Sequence, residues 1–153
     1  YRASPLYDLG KIALSSEILK KNAGELTKEE LEIYKNHALL GEATLRDAME
    51  KSPNASYLRM AAEMARSHHE RWDGSGYPDG LKESAIPLCA RIAAVCDFYE
   101  DASAGRLDGT PRSREEAAGL INQMSGTAFD PSVVKAFMEV EEKFNEIRLI
   151  NKN

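Results

Sequence analysis

The sequence lacks any hydrophobic run that could cross a membrane, and it lacks an excess of positive charge. No stretch approaches the roughly 18 consecutive apolar residues of a membrane-spanning helix, and no basic segment followed by an apolar one marks the chain for secretion. Its 20 Lys and Arg residues and 25 Asp and Glu residues give a net charge of −5. This balance argues against a nucleic acid polymer as partner, but it leaves room for a small anionic ligand. We therefore expect a cytoplasmic protein with no membrane insertion of this segment.

Cysteine is also scarce, which excludes a fold held together by disulfides. Cys89 and Cys96 lie seven positions apart in a helical pattern. Such a spacing separates them by about 10 Å along the helix, too far for a disulfide. Two buried thiols are the state we expect in a cytoplasmic protein.

The length and composition are those of one globular domain. The chain has 153 residues, of which 42% are apolar and 29% charged. No internal repeat or low-complexity linker divides it, so we take residues 1–153 as one domain. Because the sequence begins with Tyr1 rather than Met, we expect it to be part of a longer protein.

Strand patterns are missing as well, and helix signals take their place. No segment alternates apolar and polar residues for long. Thr27 with Glu30, and Ser113 with Glu116, have the spacing of capping boxes. We predict an all-α bundle of about six to seven helices. The predicted elements are a helix ending near Lys11, a helical turn at 16–20, and helices at 28–49, 56–70, 87–104, 114–124 and 131–148.

A segment rich in glycine interrupts this helical pattern. Residues 71–85 read "RWDGSGYPDGLKESA", which cannot continue a helix. A loop of this length inside a compact domain is usually functional or disordered.

The three histidines of the chain lie where they could face one another. His68 and His69 follow the apolar face of one predicted helix, and adjacent helical residues point about 100° apart. His37 is expected on the apolar side of the preceding helix, beside Ile33 and Leu40. Three unrelated histidines that merely form hydrogen bonds are the alternative interpretation.

Two aspartates extend this group of histidines. Asp8 follows a short apolar run, and Asp97 follows "ARIAAVC", where an unpaired charge is costly. Imidazoles and carboxylates together favour Fe, Mn, Zn, Ni or Co as a bound ion. The spacing therefore predicts a metal site.

Four segments of the sequence carry a resemblance to a known family: "SPLYDLGKIAL", "LTKEELEIYKNHALLGEATL", "SHHERWDGSGYPDGLKESAIPLCARIAAVCDFYEDA" and "FDPSVVKAF". They resemble the landmarks of an HD-GYP domain, in the order of that family and over nearly the whole chain. The family belongs to the HD superfamily of metal phosphohydrolases. The resemblance implies an all-helical fold and hydrolysis of the bacterial second messenger cyclic di-GMP to pGpG or GMP. It also implies two or three metal ions, often iron or manganese.

The resemblance implies a set of metal ligands. Asp8 matches the metal-bridging aspartate of the HD pair, and Asp97 matches a downstream aspartate ligand. His37, His68 and His69 match three metal-binding histidines.

The resemblance also implies residues that contact the substrate. Lys11 matches a lysine near the scissile phosphate, and Arg106 matches a phosphate-binding arginine. Gly76, Tyr77 and Pro78 are the GYP motif, which in the family shapes the substrate pocket and contacts partner proteins.

The sequence departs from the family pattern at several points. Tyr7 stands where the histidine of the HD pair belongs, and Leu107 and Gly109 replace a tyrosine and a lysine of the phosphate pocket. Some members of the family take additional metal ligands from a helix before the HD pair, and we expect this segment to lack that helix. A neutral phenol with a pKa near 10 is a poor ligand for a divalent ion, although ferric iron could bind it as phenolate. We expect Tyr7 instead to fill the space of the histidine and to donate a hydrogen bond to a neighbouring carboxylate.

Three functions are compatible with these features. The one we favour is a degenerate HD-GYP domain that holds one divalent ion, binds cyclic di-GMP or a partner protein, and hydrolyses weakly or not at all. The alternative is an active metal-dependent cyclic di-GMP phosphodiesterase that tolerates Tyr7. A purely structural domain ranks last because the GYP motif is intact.

Overall fold

Helices form nearly all of the regular structure in the computed structural model. It describes residues 2–150, including their side chains except those of Ala23 and 144–150, so Tyr1 and 151–153 of the predicted domain lie outside the described residues. Within residues 2–150 no strand occurs, in agreement with the all-α prediction. The seven α-helices in this range are α1 (Ser16–Leu19), α2 (Lys28–Lys35), α3 (His37–Lys51), α4 (Tyr57–Ser67), α5 (Leu88–Ala104), α6 (Arg114–Gln123) and α7 (Pro131–Ile150). Short 3₁₀ helices occupy Ser4–Leu6, Leu9–Ala13, Ala23–Glu25 and Glu83–Ala85.

The predicted capping boxes start two of these helices. The side chain of Thr27 accepts a hydrogen bond from the backbone N–H of Glu30, and the carboxylate of Glu30 accepts one from the N–H of Thr27. Ser113 and Glu116 repeat the arrangement at α6. Each box satisfies two backbone donors that the first turn of a helix leaves free.

The predicted long helix 28–49 is wrong, because the chain breaks at Asn36 into α2 and α3. The N–H of Asn36 turns back to the carbonyls of Ile33 and Tyr34, which tightens the last turn of α2. His37 therefore begins a new helix on a changed face. Its expected neighbours Ile33 and Leu40 are 48% and 42% exposed, whereas His37 is fully buried.

Several other predicted helix limits also differ. The first helix is not an α-helix ending near Lys11 but two 3₁₀ helices, the second of which reaches Ala13. The helix expected to reach Glu70 ends at Ser67, because the N–H of Glu70 bonds to the carbonyl of Ser67 and closes a turn. The helix expected from Pro87 begins at Leu88.

Two clusters of buried side chains form the core. One joins α5, α6 and α7 around Tyr99, Ile121 and Phe137. The other joins α3, α4 and the first 3₁₀ helix, and the alanines of α4 allow the neighbouring helices to approach closely. Cys89 and Cys96 are free, in agreement with the absence of a disulfide, but each is only partly buried, whereas buried thiols were expected. No helix in the described part of the chain is long and apolar enough to span a membrane.

Candidate metal centre

Four side chains from three parts of the chain converge on one point. Asp8 lies between the first two 3₁₀ helices, His37 is the first residue of α3, and His68 and His69 directly follow α4. Their ligand atoms all lie within 4.8 Å of one another. The Nε2 atoms of His37 and His68 are 3.6 and 3.5 Å from Oδ1 of Asp8 and 3.4 Å from each other. The structure thus brings together four of the five predicted metal ligands.

A close crossing of two glycines allows Asp8 to reach the histidines. A Cβ atom on Gly10 would lie 1.9 Å from the carbonyl oxygen of His37 and 2.6 Å from the backbone nitrogen of Gly41. Only a residue without a side chain fits between the second 3₁₀ helix and α3 at this distance. Gly10 therefore sets the approach of Asp8 to His37.

Backbone carbonyls fix the tautomers of two histidines. Nδ1 of His37 lies 2.6 Å from the carbonyl oxygen of Tyr34, and Nδ1 of His68 lies 2.9 Å from that of Met64. Because a carbonyl can only accept, both Nδ1 atoms carry a proton, and the Nε2 atoms are the ring nitrogens that face the cluster. This arrangement is common for metal-bound histidines, whose other ring nitrogen is held by an outer partner.

The ionisation states of Asp8, His37 and His69 place hydrogen-bond acceptors next to one another in the cluster. Burial lowers the pKa of His37, and burial together with the neighbouring imidazole of His68 lowers the pKa of His69 well below its ordinary value. Burial of Asp8 acts to raise its pKa, but hydrogen bonding and the charge of Lys11 outweigh it and bring the pKa below the usual range. Oδ1 of Asp8 and Nε2 of His69 are buried without a hydrogen-bond partner in the described part of the chain.

A cation would satisfy these orphaned acceptors together. Three imidazole nitrogens and one carboxylate oxygen form a donor set that suits Fe, Mn, Zn, Ni or Co. The residues present therefore fit a divalent metal ion.

Lys11 lies against the carboxylate on its other side. Its Nζ donates to Oδ2 of Asp8 over 2.6 Å and lies 5.6 Å from the ring centre of Tyr34. Burial alone would lower the pKa of Lys11, but the bond to Asp8 outweighs burial and raises the pKa. Lys11 therefore keeps a positive charge at the edge of the cluster.

Tyr7 forms a hydrogen bond with Asp97, the fifth predicted metal ligand. Its phenol donates a hydrogen bond of 2.6 Å to Oδ1 of Asp97, which confirms the expected bond to a neighbouring carboxylate. Burial, together with this hydrogen bond, raises the pKa of Tyr7, so the phenol keeps its proton. The Tyr7 ring also packs edge-on to His68 at 5.0 Å. Among the described residues, Asp97 does not belong to the group that could hold an ion.

The GYP motif lies against the cluster. The Tyr77 ring stacks on His69 with centroids 4.8 Å apart and an interplanar angle of 20°. A Cβ on Gly76 would lie 2.3 Å from the backbone nitrogen of Arg71, so the chain packs back on itself here. Arg106, by contrast, is exposed and donates to Oδ1 of Asp101 over 2.6 Å. The structure thus puts Tyr77 beside a histidine of the cluster and pairs Arg106 with an acidic residue.

Sequence reasoning missed two residues of this centre. Tyr34 fixes His37 through its carbonyl and contacts Lys11 through its ring, and no sequence signal indicated this. Glu70 is only 3% exposed and accepts hydrogen bonds from the backbone of residues 71–85, the loop that carries the GYP motif and is called the GYP loop below. A charged residue directly after the His pair was the available signal for Glu70.

This chain is similar in sequence to known proteins. It is 44% identical over 148 residues to a probable cyclic di-GMP phosphodiesterase of Vibrio cholerae, covering 96% of this chain and 33% of that protein. It is 42% identical over 145 residues to a cyclic di-GMP phosphodiesterase of Thermotoga maritima, covering 95% of this chain and 38% of the relative. The chain thus spans about a third of the length of these curated relatives.

A solved structure and a family profile complete the comparison. The crystal structure of a cyclic GMP-AMP specific phosphodiesterase of V. cholerae, V-cGAP3, matches with a TM-score of 0.59 at 26% identity. The match covers 92% of this chain and 36% of that one. The profile described as HD domain matches residues 1–133. By this match, the chain belongs to the HD domain family.

Proposed function

We propose that this chain is a degenerate HD-GYP domain that binds one divalent metal ion and cyclic di-GMP, with weak or no hydrolysis. The observation that carries this proposal is the hydrogen bond from Tyr7 to Asp97 beside a cluster of four residues that could hold a metal ion. Relatives that are 41–44% identical are named cyclic di-GMP phosphodiesterases. The stacking of Tyr77 of the GYP motif on His69 supports the assignment to the HD-GYP group.

The ion would be held by the four clustered side chains. Asp8, His37, His68 and His69 offer three imidazole nitrogens and one carboxylate, and we propose Fe or Mn as the ion. When bound, such an ion supplies Lewis-acid stabilisation of negative charge on phosphoryl oxygens. Lys11 adds a fixed positive charge at the edge of this cluster, where it can bind a phosphate oxygen of the ligand.

A second ion would lack its ligands in this chain. Tyr7 supplies a protonated phenol in place of an imidazole, and the same phenol occupies Oδ1 of Asp97. Two ions about 3.5–4 Å apart clamp the attacking and leaving oxygens in two-metal hydrolases. A single ion leaves this clamp incomplete, so we propose binding without efficient turnover. Arg106, which pairs with Asp101, and the replacements at Leu107 and Gly109 weaken the phosphate pocket further.

The second candidate is an active phosphodiesterase that gives pGpG or GMP. The intact group of Asp8, His37, His68 and His69, with Lys11 bound to Asp8, favours it. An interaction of the GYP loop with signalling partner proteins is compatible with either candidate.

Incubation with cyclic di-GMP separates the two candidates. The purified chain is loaded with Mn²⁺ or anaerobic Fe²⁺, binding is measured by calorimetry, and pGpG and GMP are followed by chromatography. We expect binding without product, and loss of metal-dependent binding in Asp8→Asn. Turnover at the rate of the T. maritima cyclic di-GMP phosphodiesterase would overturn the degenerate assignment. Absence of both metal binding and ligand binding would leave only a structural domain.

A further inference from the structure

His69 differs from the other cluster ligands in how its side chain is held. His37 and His68 donate from Nδ1 to backbone carbonyls, and Asp8 accepts from Lys11. Among the described residues, no hydrogen bond to the His69 ring is formed. Its ring is held by stacking on Tyr77 and by edge contacts with the other imidazoles. The orientation of His69 therefore depends on where the GYP loop puts Tyr77.

The loop returns directly to His69. The backbone N–H of Tyr77 donates to the carbonyl of His69 over 3.2 Å. The absence of a side chain at Gly76 permits this contact, since a Cβ would lie 2.5 Å from Cα of Glu70. Any loosening of the loop would separate the Tyr77 ring from the His69 ring.

A buried carboxylate closes the loop from within. Glu70 is 3% exposed, and its two oxygens accept hydrogen bonds from the N–H groups of Asp79 over 2.7 Å and Leu81 over 3.0 Å. Bonds from backbone N–H to an ionised carboxylate are about twice as strong as neutral ones. Glu70, which directly follows His69, thus holds the backbone of the loop at Asp79 and Leu81.

A bidentate ion pair closes the loop from outside. Nε and Nη2 of Arg66 donate to Oδ2 and Oδ1 of Asp79, each over 2.7 Å. Nη1 of the same guanidinium donates to Glu42. Because Glu42 belongs to α3 and Arg66 to α4, the guanidinium of Arg66 connects these two helices with the loop that carries Tyr77.

We propose that Glu70 and the Arg66–Asp79 pair are positioning residues that hold Tyr77 against His69 and thereby fix the fourth ligand of the metal site. The inference rests on the proposed metal site and adds residues that would not touch the ion. Outer partners of metal ligands usually change metal affinity by about 10–100-fold when removed. An effect of this size is expected when the loop is released.

The test combines metal affinity with a signal that needs no metal. Mn²⁺ binding is measured by calorimetry for wild type, Asp79→Asn and Glu70→Gln. We expect affinity to fall about 10–100-fold in both variants. Arg46→Gln is the matched control, because Arg46 also donates to Glu42 but does not contact the loop. It should keep the wild-type affinity within twofold.

Two variants of Tyr77 separate the contribution of its ring from that of its hydroxyl. Tyr77→Phe keeps the stack and should bind Mn²⁺ like wild type, whereas Tyr77→Ala should show the same loss as Asp79→Asn. In metal-free protein, the ring of Tyr77 should shift the imidazole proton resonances of His69 upfield. We expect this shift to be reduced in Asp79→Asn and retained in Arg46→Gln.

The outcomes distinguish this inference from the proposed function. Wild-type protein that binds no Mn²⁺ would overturn the metal site, while the metal-free resonances would still decide the positioning role. Wild-type affinity in Asp79→Asn and Glu70→Gln, with faster amide exchange in the loop, would overturn the positioning role alone. Asp79→Asn carries the test if the buried substitution Glu70→Gln prevents folding.

Discussion

The phenol of Tyr7 donates a 2.6 Å hydrogen bond to Oδ1 of Asp97, a residue 90 positions away in the sequence. This bond joins the first turn of the domain to the middle of α5 and lies next to His68, on which the Tyr7 ring packs. Tyr7, which stands where the resemblance to HD-GYP domains implies a metal-binding histidine, is therefore integrated into the fold. It also engages the carboxylate that a second ion would need.

Removing the Tyr7 hydroxyl should destabilise the protein. Tyr7→Phe leaves Asp97 without its donor, and the free energy of unfolding should fall by about 1–2 kcal/mol. Urea denaturation at pH 7 measures this change. Tyr57→Phe is the control, because Tyr57 is 37% exposed and should change stability by less than about 0.5 kcal/mol. Equal stability of Tyr7→Phe and wild type would mean that the bond contributes nothing.

Restoring an imidazole at position 7 should restore metal binding at the second position. Tyr7→His frees Asp97 and supplies a nitrogen ligand, so we expect a second Mn or Fe ion per chain and an increase in pGpG formation. Metal analysis and chromatography of the products give the two readouts. If the variant gains neither ion nor product, the replacements at Leu107 and Gly109 limit the site instead.

A side chain on Gly10 should separate Asp8 from His37. In Gly10→Ala the new Cβ would meet the carbonyl oxygen of His37 at 1.9 Å, so the second 3₁₀ helix must move away from α3. We expect a loss of stability of about 1–3 kcal/mol or more and weakened Mn²⁺ binding. Gly119→Ala in α6 is the matched control, since its Cβ would meet nothing within 4 Å. The control should gain about 0.5–1 kcal/mol, and Mn²⁺ binding as in wild type by Gly10→Ala would contradict the role of the crossing.

The ion pair between Arg91 and Asp130 should make stability depend on pH. Asp130 is 3% exposed, and Nη1 of Arg91 donates to its Oδ2 over 2.6 Å. Burial acts to raise the pKa of Asp130, but the bonds from Arg91 and from the backbone of Ser132 outweigh it and lower the pKa below 3.8. The contribution is thus fully present above the ordinary pKa of Asp and is lost as the pH falls through the lowered value.

Asp130→Asn should remove this contribution. We expect the variant to lose about 1.5–3 kcal/mol at pH 7 and to differ less from wild type near pH 3. Unfolding in urea at both pH values measures the difference. Glu32→Gln, in an exposed pair with Lys35, should change stability by less than about 1 kcal/mol. An equal difference between Asp130→Asn and wild type at both pH values would contradict the pH-dependent contribution of the pair.

Local signals predicted much of the fold, and contacts between distant segments explain what they missed. The capping boxes at Thr27 and Ser113 depend on residues three positions apart and were found from sequence. The break at Asn36 was not found from sequence. It depends on a tightened turn in which the carbonyl of Tyr34 also accepts a hydrogen bond from Nδ1 of His37. The break also explains why Ile33 faces solvent.

The candidate site shows the same limit. Residue types predicted Asp8, Asp97 and the three histidines as candidate ligands, and the structure brings all of them except Asp97 together. The resemblance to HD-GYP domains added Lys11 and the GYP motif. The crossing at Gly10 and the closure of the loop by Glu70 depend on atoms brought together by folding. No spacing in the sequence encodes such contacts. A hydrogen bond from Tyr7 to a neighbouring carboxylate was predicted from sequence, but Asp97 was not predicted as the acceptor.

Metal stoichiometry tests the central claim most directly. The purified chain is stripped with a chelator, reloaded anaerobically with Fe²⁺ or with Mn²⁺, freed of loose metal and analysed for metal per chain. We predict one tightly held ion in the wild type, none in Asp8→Asn, and an unchanged value of one in Asp97→Asn. Two or more tightly held ions in the wild type would contradict the account, because the bond from Tyr7 to Asp97 would then not prevent a second ion.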